Sequence, residues 1–346
     1  MSKANCKESL RFRTEMNVNI QAIKMSNGDF FVVKYEGVSG ARHVVLLDMG
    51  YQSAYFEAKK TALADVDEID LCVLSHIHED HIGGALRYVN EVFEGEKEPV
   101  VKEWWFNAKR VETSVSSAKD GSEISPRQAN EIAAYMSANY DTKQWKNNIR
   151  AGQRYGYDGL TITVLSPKAT KEYDGAPYGE DEREDVLLGR KANDYDVAVK
   201  DFDVTKFTED TKEEHKGCVA LLLDFAGKRF LWMADALPSV VCETLLKLGY
   251  SKKKPLECEY MTLSHHGSKG NTSMELLSMI RCEKYIVTGD GANAYNLPDK
   301  ETFVRVIGHC GEDVQLYATA MDWELRDVFK VDGKYNIDEK AEFEIE

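Results

Sequence analysis

The 346-residue sequence predicts an α/β protein built in layers. Apolar, β-rich runs recur along most of the chain, several stop in a short polar loop, and helical spacing then follows. With 43% hydrophobic and 30% charged residues, the composition is that of a folded globular protein and excludes a disordered chain. Glycine and proline, at 24 and 7, exclude a collagen-like one. Length allows one large domain or two smaller ones.

The elements follow in order. Val18–Ala22, Phe30–Tyr35 and His43–Leu47 predict strands, separated by the turn signals Asn27-Gly28 and Ser39-Gly40. The run Val44–Leu47 ends in Asp48-Met49-Gly50, and Leu71–Leu74 ends in Ser75-His76. Gly83-Gly84 then opens helical spacing from Ala85 to Phe93, and Val101–Phe106 predicts another strand. Residues 107–159 read as an inserted helical layer, with helical spacing from Pro126 to about Tyr140, before the strand Leu160–Leu165. Residues 171–214 carry 15 acidic and 7 basic side chains, net −8. Such a stretch reads as a solvated insertion, or as a lid or protein-partner loop. Strand–helix rhythm then resumes. Val219–Phe225 and Phe230–Met233 form a hairpin across Ala226-Gly227-Lys228, followed by helix Pro238–Leu248, strand Tyr260–Leu263, helix Met274–Ile280, strand Tyr285–Val287 and helix Thr302–Ile307.

Several function classes are disfavoured. No window approaches the roughly 18–20 apolar residues of a membrane span, so no membrane partner is expected. The first residues contain no apolar signal-peptide core. The seven cysteines are isolated and odd in number, with no CxxC, which points to reduced thiols, a cytoplasmic location and no Cys-type zinc site. A net charge of −15, with no basic run longer than Lys252–Lys254, argues against duplex nucleic acid as a partner.

The most informative stretch is Ser75-His76-Ile77-His78-Glu79-Asp80-His81-Ile82-Gly83-Gly84. Three of the protein's eight histidines and an aspartate fall within six residues, after an apolar strand and before a helix start. Imidazole nitrogen and carboxylate oxygen together suit Zn, Mn or Fe. Adjacent side chains diverge, so four such ligands serve two ions more easily than one. Further donors stand at strand ends: Asp235 after Phe230–Ala234, and His265-His266 after Met261–Ser264. Taken alone, Asp235 reads equally as the cap of the following helix.

His76-x-His78-x-Asp80-His81 resembles the signature loop of the metallo-β-lactamase superfamily, and Asp48-Met49-Gly50 resembles its upstream Asp-x-Gly. The blocks FLWMADA, LSHHGSKGNTSMELLSMI and IVTGDGANAYNLPDKE resemble those of the ComEC-type soluble metallo-hydrolases, as do WWFNA, ISPRQANEIAAY and GLTITVLSPK nearer the middle. The likeness covers about residues 15–310. It implies an αββα sandwich of two mixed sheets with outer helices, a single domain over residues 1–346 with insertions at about 107–159 and 171–214.

It also implies two divalent ions, zinc first, with manganese or iron as alternatives. His76 and His78 would hold one ion, Asp80 and His81 the other, and Asp235 would bridge. One of His265 and His266 would complete the second ion, with His266 favoured. Asp80 and His265 would be the catalytic residues, His265 as acid, and Asp48 would orient a ligand histidine. Ser268, Lys269 and Asn271 would contact a phosphate or form a solvated turn. The chain departs from the branch at Ala234 (usually Gly), Leu297 (usually His) and His215 (usually Asn). His215 either restores a third ligand to the first ion or is an exposed residue ending the acidic loop. The implied activity is metal-dependent hydrolysis of a small or single-stranded phosphodiester, as phosphodiesterase or nuclease. The alternatives are hydrolysis of a small ester, lactone or thioester, and a metal-binding regulatory subunit.

Overall fold

A computed structural model describes residues 17–96, 98–110, 124–168, 193–293 and 295–345, with only the backbone for 124–126. Its strands in chain order are β1 (Val18–Ala22), β2 (Phe31–Glu36), β3 (Arg42–Leu47), β4 (Leu71–Leu74), β5 (Trp104–Phe106), β6 (Trp145–Lys146), β7 (Arg154–Tyr157), β8 (Leu160–Ser166) and β9 (Ala220–Phe225). They continue with β10 (Lys228–Trp232), β11 (Leu256–Glu257), β12 (Tyr260–Thr262), β13 (Ile280–Arg281), β14 (Lys284–Val287), β15 (Gln315–Ala318), β16 (Asp338–Glu339) and β17 (Glu342–Ile345). One mixed sheet has the order β17-β1-β2-β3-β4-β5-β6, and the other β16-β15-β14-β12-β10-β9-β8-β7. The short β11 and β13 pair separately.

Alternation along each strand sets the layering. Phe31, Val33 and Tyr35 of β2 join the core between the sheets, while Val32 turns to the outer cluster. Two ring contacts cross the interface: Phe31 against Phe230 at 5.8 Å, and Tyr35 against Phe225 at 5.6 Å, both edge-on. Helices Gln52–Lys60, Glu79–Phe93 and Ile124–Asn139 bury Tyr55, Leu86 and Ile132 against the outer face of the first sheet. Helices Pro238–Lys247, Met274–Ser278 and Lys300–Cys310 supply Leu245, Leu276 and Phe303 to the core of the second. The result is an αββα sandwich of two mixed sheets with outer helices. No helix among the described residues is long and apolar enough to cross a membrane, and the six described cysteines are free.

Three features differ from the sequence reading. The helix expected from Ala85 begins at Glu79, so Asp80 and His81 lie in its first turn. Gly83-Gly84 does not open the helix but lets it approach the loop after β3: a Cβ on Gly84 would sit 2.1 Å from the Met49 carbonyl oxygen. The 107–159 stretch holds the expected helix, yet also contributes β6 and β7, one to each sheet. Of the acidic stretch 171–214, residues up to 192 lie outside the described residues, and the remainder runs through turns and the 3-10 helix Val199–Asp201 to the short helix Glu213–Lys216.

One buried cluster anchors the first two helices. Glu91 is 3% exposed and accepts from Tyr55 Oη at 3.0 Å, Lys59 Nζ at 2.9 Å and Arg87 Nε at 3.3 Å. Burial alone would raise its pKa; the Lys59 ammonium, the Tyr55 hydroxyl and Arg87 outweigh that and hold it below the usual range. A depressed folded-state pKa contributes stability that is present above the unfolded value of about 4.3 and disappears as pH falls through the folded one. Glu91→Gln is therefore expected to cost about 1–3 kcal/mol at neutral pH, with the difference from wild type shrinking at acidic pH, as read by denaturant unfolding. An equal difference at pH 7 and pH 3 would contradict this.

Candidate metal centre

Chain direction gathers the site. β3 and β4 run parallel, as do β10, β12 and β14, so loops leaving their C-terminal ends emerge at one edge of the sandwich. Asp48 follows β3, Ser75 and His76 follow β4, Asp235 follows β10, His265-His266 follow β12 and Thr288 follows β14. β9 is antiparallel to β10, so His215, just before it, arrives at the same edge. The Val219 amide donates to the Ser75 carbonyl at 3.0 Å and stitches the two sheets together there.

Asp235 stands at the middle and is 1% exposed. Its Oδ2 lies 3.5 Å from His76 Nε2, 3.3 Å from His215 Nε2 and 4.0 Å from His265 Nε2. Its Oδ1 faces the other way, 3.4 Å from His81 Nε2 and 3.7 Å from His266 Nε2. Two donor sets result: His76, His78, His215 and Asp235 on one side, and Asp80, His81 and His266 on the other, each with ligand atoms within 4.8 Å of one another. Asp80 Oδ2 faces His266 Nε2 at 3.0 Å and accepts from Asn27 Nδ2 at 2.7 Å.

The hydrogen bonds behind the imidazoles fix which nitrogen points inward. His81 Nδ1 donates to Asp48 Oδ2 at 2.6 Å. The Ser75 hydroxyl also donates to Asp48 Oδ2, at 2.6 Å, so Ser75 Oγ accepts from His76 Nδ1 at 3.0 Å. His215 Nδ1 donates to Asp210. In these three Nδ1 bonds outward and Nε2 faces Asp235. His266 Nδ1 sits 3.0 Å from Thr288 Oγ1. The Nε2 atoms of His76, His81 and His215, with Asp235 Oδ1, are buried and have no hydrogen-bond partner, while His266 Nε2 faces the Asp80 carboxylate. Orphaned polar atoms of this kind carry a desolvation cost unless a cation satisfies them. Imidazole Nε2 and carboxylate oxygen are the donors divalent ions take, so the residues fit two such ions.

Electrostatics agree. Burial, with the neighbouring His81 and His78, holds His76 far below the usual imidazole range, and burial with His215 pushes His78 down to about 3. Both are neutral donors at physiological pH. Burial raises Asp48 to about 6 despite its bond to His81. For Asp235 burial is outweighed by His81 and His266, and its pKa falls well below the carboxylate range. Burial opposes charge on His215 too, yet Asp210 and Asp235 lift it to about 9. A site that so favours positive charge around its central carboxylate is suited to cations.

The local backbone is shaped to this end. His265 and His266 are both left-handed, with φ of 51° and 53°, which directs one imidazole to each side of Asp235. Ala234, where the resemblance implied glycine, is left-handed with φ of 43°. Strain at such positions concentrates at functional sites.

His76, His78, Asp80, His81, Asp235, His266 and His215 come together, with Asp48 behind His81 and His265 at the rim, 18% exposed. Asp235 does not cap the next helix, whose N-cap is Leu237. The three residues read as phosphate contacts divide. Asn271 is fully buried, its Oδ1 3.1 Å from His265 Nδ1 and its Nδ2 donating to Asp210 Oδ2 at 3.3 Å. Ser268 Oγ accepts from the Gly270 amide, and the Lys269 ammonium lies 3.9 Å from Asp299 and 4.0 Å from Glu301. Sequence reasoning missed Asp210, Ser75, Asn27 and Thr288. Only Ser75, inside the histidine loop, stood where a local signal could have found it.

No protein-family model matches the chain, and no curated protein matches its sequence. Among solved structures the chain is similar to the metallo-β-lactamase fold protein YhfI from Bacillus subtilis, at 10% identity over 95% of this chain and 99% of that one, TM-score 0.44. It is similar to a diphosphatase from the PhnP family, at 10% identity over 96% and 98%, TM-score 0.42. It is also similar to CmlA, a diiron β-hydroxylase from Streptomyces venezuelae, at 11% identity over 95% of this chain and 54% of that chain, TM-score 0.44. The fold described above rests on this chain's own two sheets, and the site on its own side chains.

Two outcomes are expected. Asp48→Ala removes the acceptor of His81 Nδ1 and of the Ser75 amide and hydroxyl, and should weaken metal affinity about 10- to 100-fold in chelator competition; unchanged affinity would deny Asp48 its orienting part. Ala234→Gly relieves a left-handed alanine at some cost in chain entropy and should stabilise the fold by up to about 1 kcal/mol in denaturant unfolding. A net loss of stability would show that the alanine methyl group is worth more than the strain.

Proposed function

We propose that the chain is a metal-dependent hydrolase of the ComEC-like kind, holding two divalent ions and acting on small or single-stranded phosphodiesters. The observation that carries this reading is Asp235: a buried carboxylate whose two oxygens face two separate sets of imidazole nitrogens. His76, His78 and His215 would hold one ion, Asp80, His81 and His266 the other, with Asp235 between them. Ions bound there supply Lewis acidity toward a phosphoryl group and toward water.

The chain's own residues do the rest. Asp48 and Asp210 keep His81 and His215 turned inward. His265, at the rim, is held through Nδ1 by Asn271 and directs Nε2 toward the central space, where it can hold the proton that a leaving alkoxide needs. Zinc is the expected metal, with manganese and iron suited to the same donors. The preference for a small or single-stranded substrate follows from the net charge of −15, which disfavours a long polyanion.

Elemental analysis of the purified chain is expected to find near two metal ions, falling in His76→Ala and Asp80→Ala. With Zn or Mn, bis-p-nitrophenyl phosphate or single-stranded DNA should be hydrolysed, and a lactone and a thioester should not. Turnover of the lactone or thioester alone would move the reading to carbonyl hydrolysis. Bound metal with no turnover on any of the four would favour a regulatory role.

A further inference from the structure

Asp210 lies in the acidic stretch before β9, yet its side chain is 11% exposed and points into the centre. One oxygen, Oδ2, meets three partners: it accepts from His215 Nδ1, lies 3.3 Å from His265 Nδ1 and accepts at 3.3 Å from Nδ2 of Asn271, the amide whose Oδ1 stands 3.1 Å from the same His265 Nδ1. The other, Oδ1, accepts from the Lys212 amide at 3.0 Å. The two imidazoles stand with ring centroids 4.4 Å apart and turn both Nε2 atoms toward Asp235 Oδ2.

The main chain around Asp210 is held as firmly. Its amide donates to the Gly270 carbonyl at 3.0 Å, and a Cβ on Gly270 would stand 3.3 Å from the Asp210 nitrogen, so the turn after His265-His266 packs directly on this segment. The buried Arg305 guanidinium donates to the carbonyls of Lys206, Lys269 and Thr272, tying that turn to the approach to Asp210. The carboxylate is therefore built into the site from both sides.

We infer that Asp210 is a positioning residue that locks His215 as a metal ligand and His265 as the proton-holding group through one carboxylate oxygen, coupling metal retention to turnover. The inference rests on the hydrolase reading above and adds to it a specific division of labour. Removing His215 should affect metal, removing His265 should affect turnover, and removing Asp210 should affect both.

The test compares Asp210→Asn, His215→Ala and His265→Ala in the full chain. Folding is followed by circular dichroism, zinc affinity by competition with a chromophoric chelator, and kcat and KM on bis-p-nitrophenyl phosphate at saturating metal. Asp210→Asn keeps the side-chain shape and should keep the folded spectrum. Expected are a 10- to 100-fold loss of affinity at one ion and, with metal restored, a fall in kcat of about 100-fold with KM little changed. His265→Ala should lower kcat and leave zinc affinity unchanged, while His215→Ala should weaken zinc. Adding Asp210→Asn to His265→Ala should lower kcat little further, because the two act as one unit. Wild-type affinity and kcat in Asp210→Asn, or loss of only one of them, would overturn the coupling while leaving the hydrolase reading intact. A wild-type chain that binds no metal would overturn both.

Discussion

A carboxylate buried to 1% exposure with imidazole nitrogens on either side of it is the constraint on which the site depends. Charge of that kind is retained in a protein interior only where opposite charge is supplied close by. Asp235 can occupy the middle because β10 delivers it to the edge where β4, β12 and β14 also end, and because the two sheets are stitched together there by Val219 and Ser75. The sandwich is thus more than a container. Packing two sheets with their strand ends at one rim brings donors from three distant chain segments within 4.8 Å of one another in one set, and from two in the other.

Behind the inward-facing nitrogens stands a second ring of groups whose work is orientation: Asp48 and Ser75 for His81 and His76, Asp210 and Asn271 for His215 and His265, Thr288 for His266. These partners restrict the rotation of the imidazoles and, for His76, His81 and His215, fix Nε2 as the nitrogen that points inward. The left-handed pair His265-His266 belongs to the same economy of placement: two successive residues serve opposite sides of Asp235. The packing of Arg305 and of the glycines at 84 and 270 keeps these loops close enough for the contacts to form.

What the sequence disclosed follows from what is local. The histidine loop lies within six residues, so its chemistry could be read directly, and the strands around it announced themselves as apolar runs. Asp210 could not be read, because it is one acid among 15 in a charged stretch and only tertiary packing distinguishes it from its neighbours. Asn271 drew attention for a polar loop context, but its complete burial under His265 is set by distant contacts. Helix Gln52–Lys60 has no side-chain cap and buries only Ala54, Tyr55 and Ala58, so it offered little periodic signal. The strand β17 alternates Glu342, Phe343, Glu344 and Ile345, yet it completes the first sheet by pairing with β1 from the far end of the chain.

The distribution of acid also shows why net charge is a coarse guide to what the surface repels. In the described half of the acidic stretch, several carboxylates do not face water as a uniform field. Asp194 accepts from the Lys300 and Glu301 amides and caps helix Lys300–Cys310, where the helix dipole favours a negative group. Asp210 is turned into the centre, and Glu209 accepts from the Ser239 amide and hydroxyl. Each of these carboxylates is held by hydrogen-bond donors beside it, and at physiological ionic strength the field of an exposed charge fades over about 8 Å. The field at the rim is accordingly set by the centre itself and by the groups beside it, His265 and Lys212 among them, more than by the sum over the chain. A strongly acidic protein can in this way present a local site of positive field, provided cations occupy the two sides of Asp235.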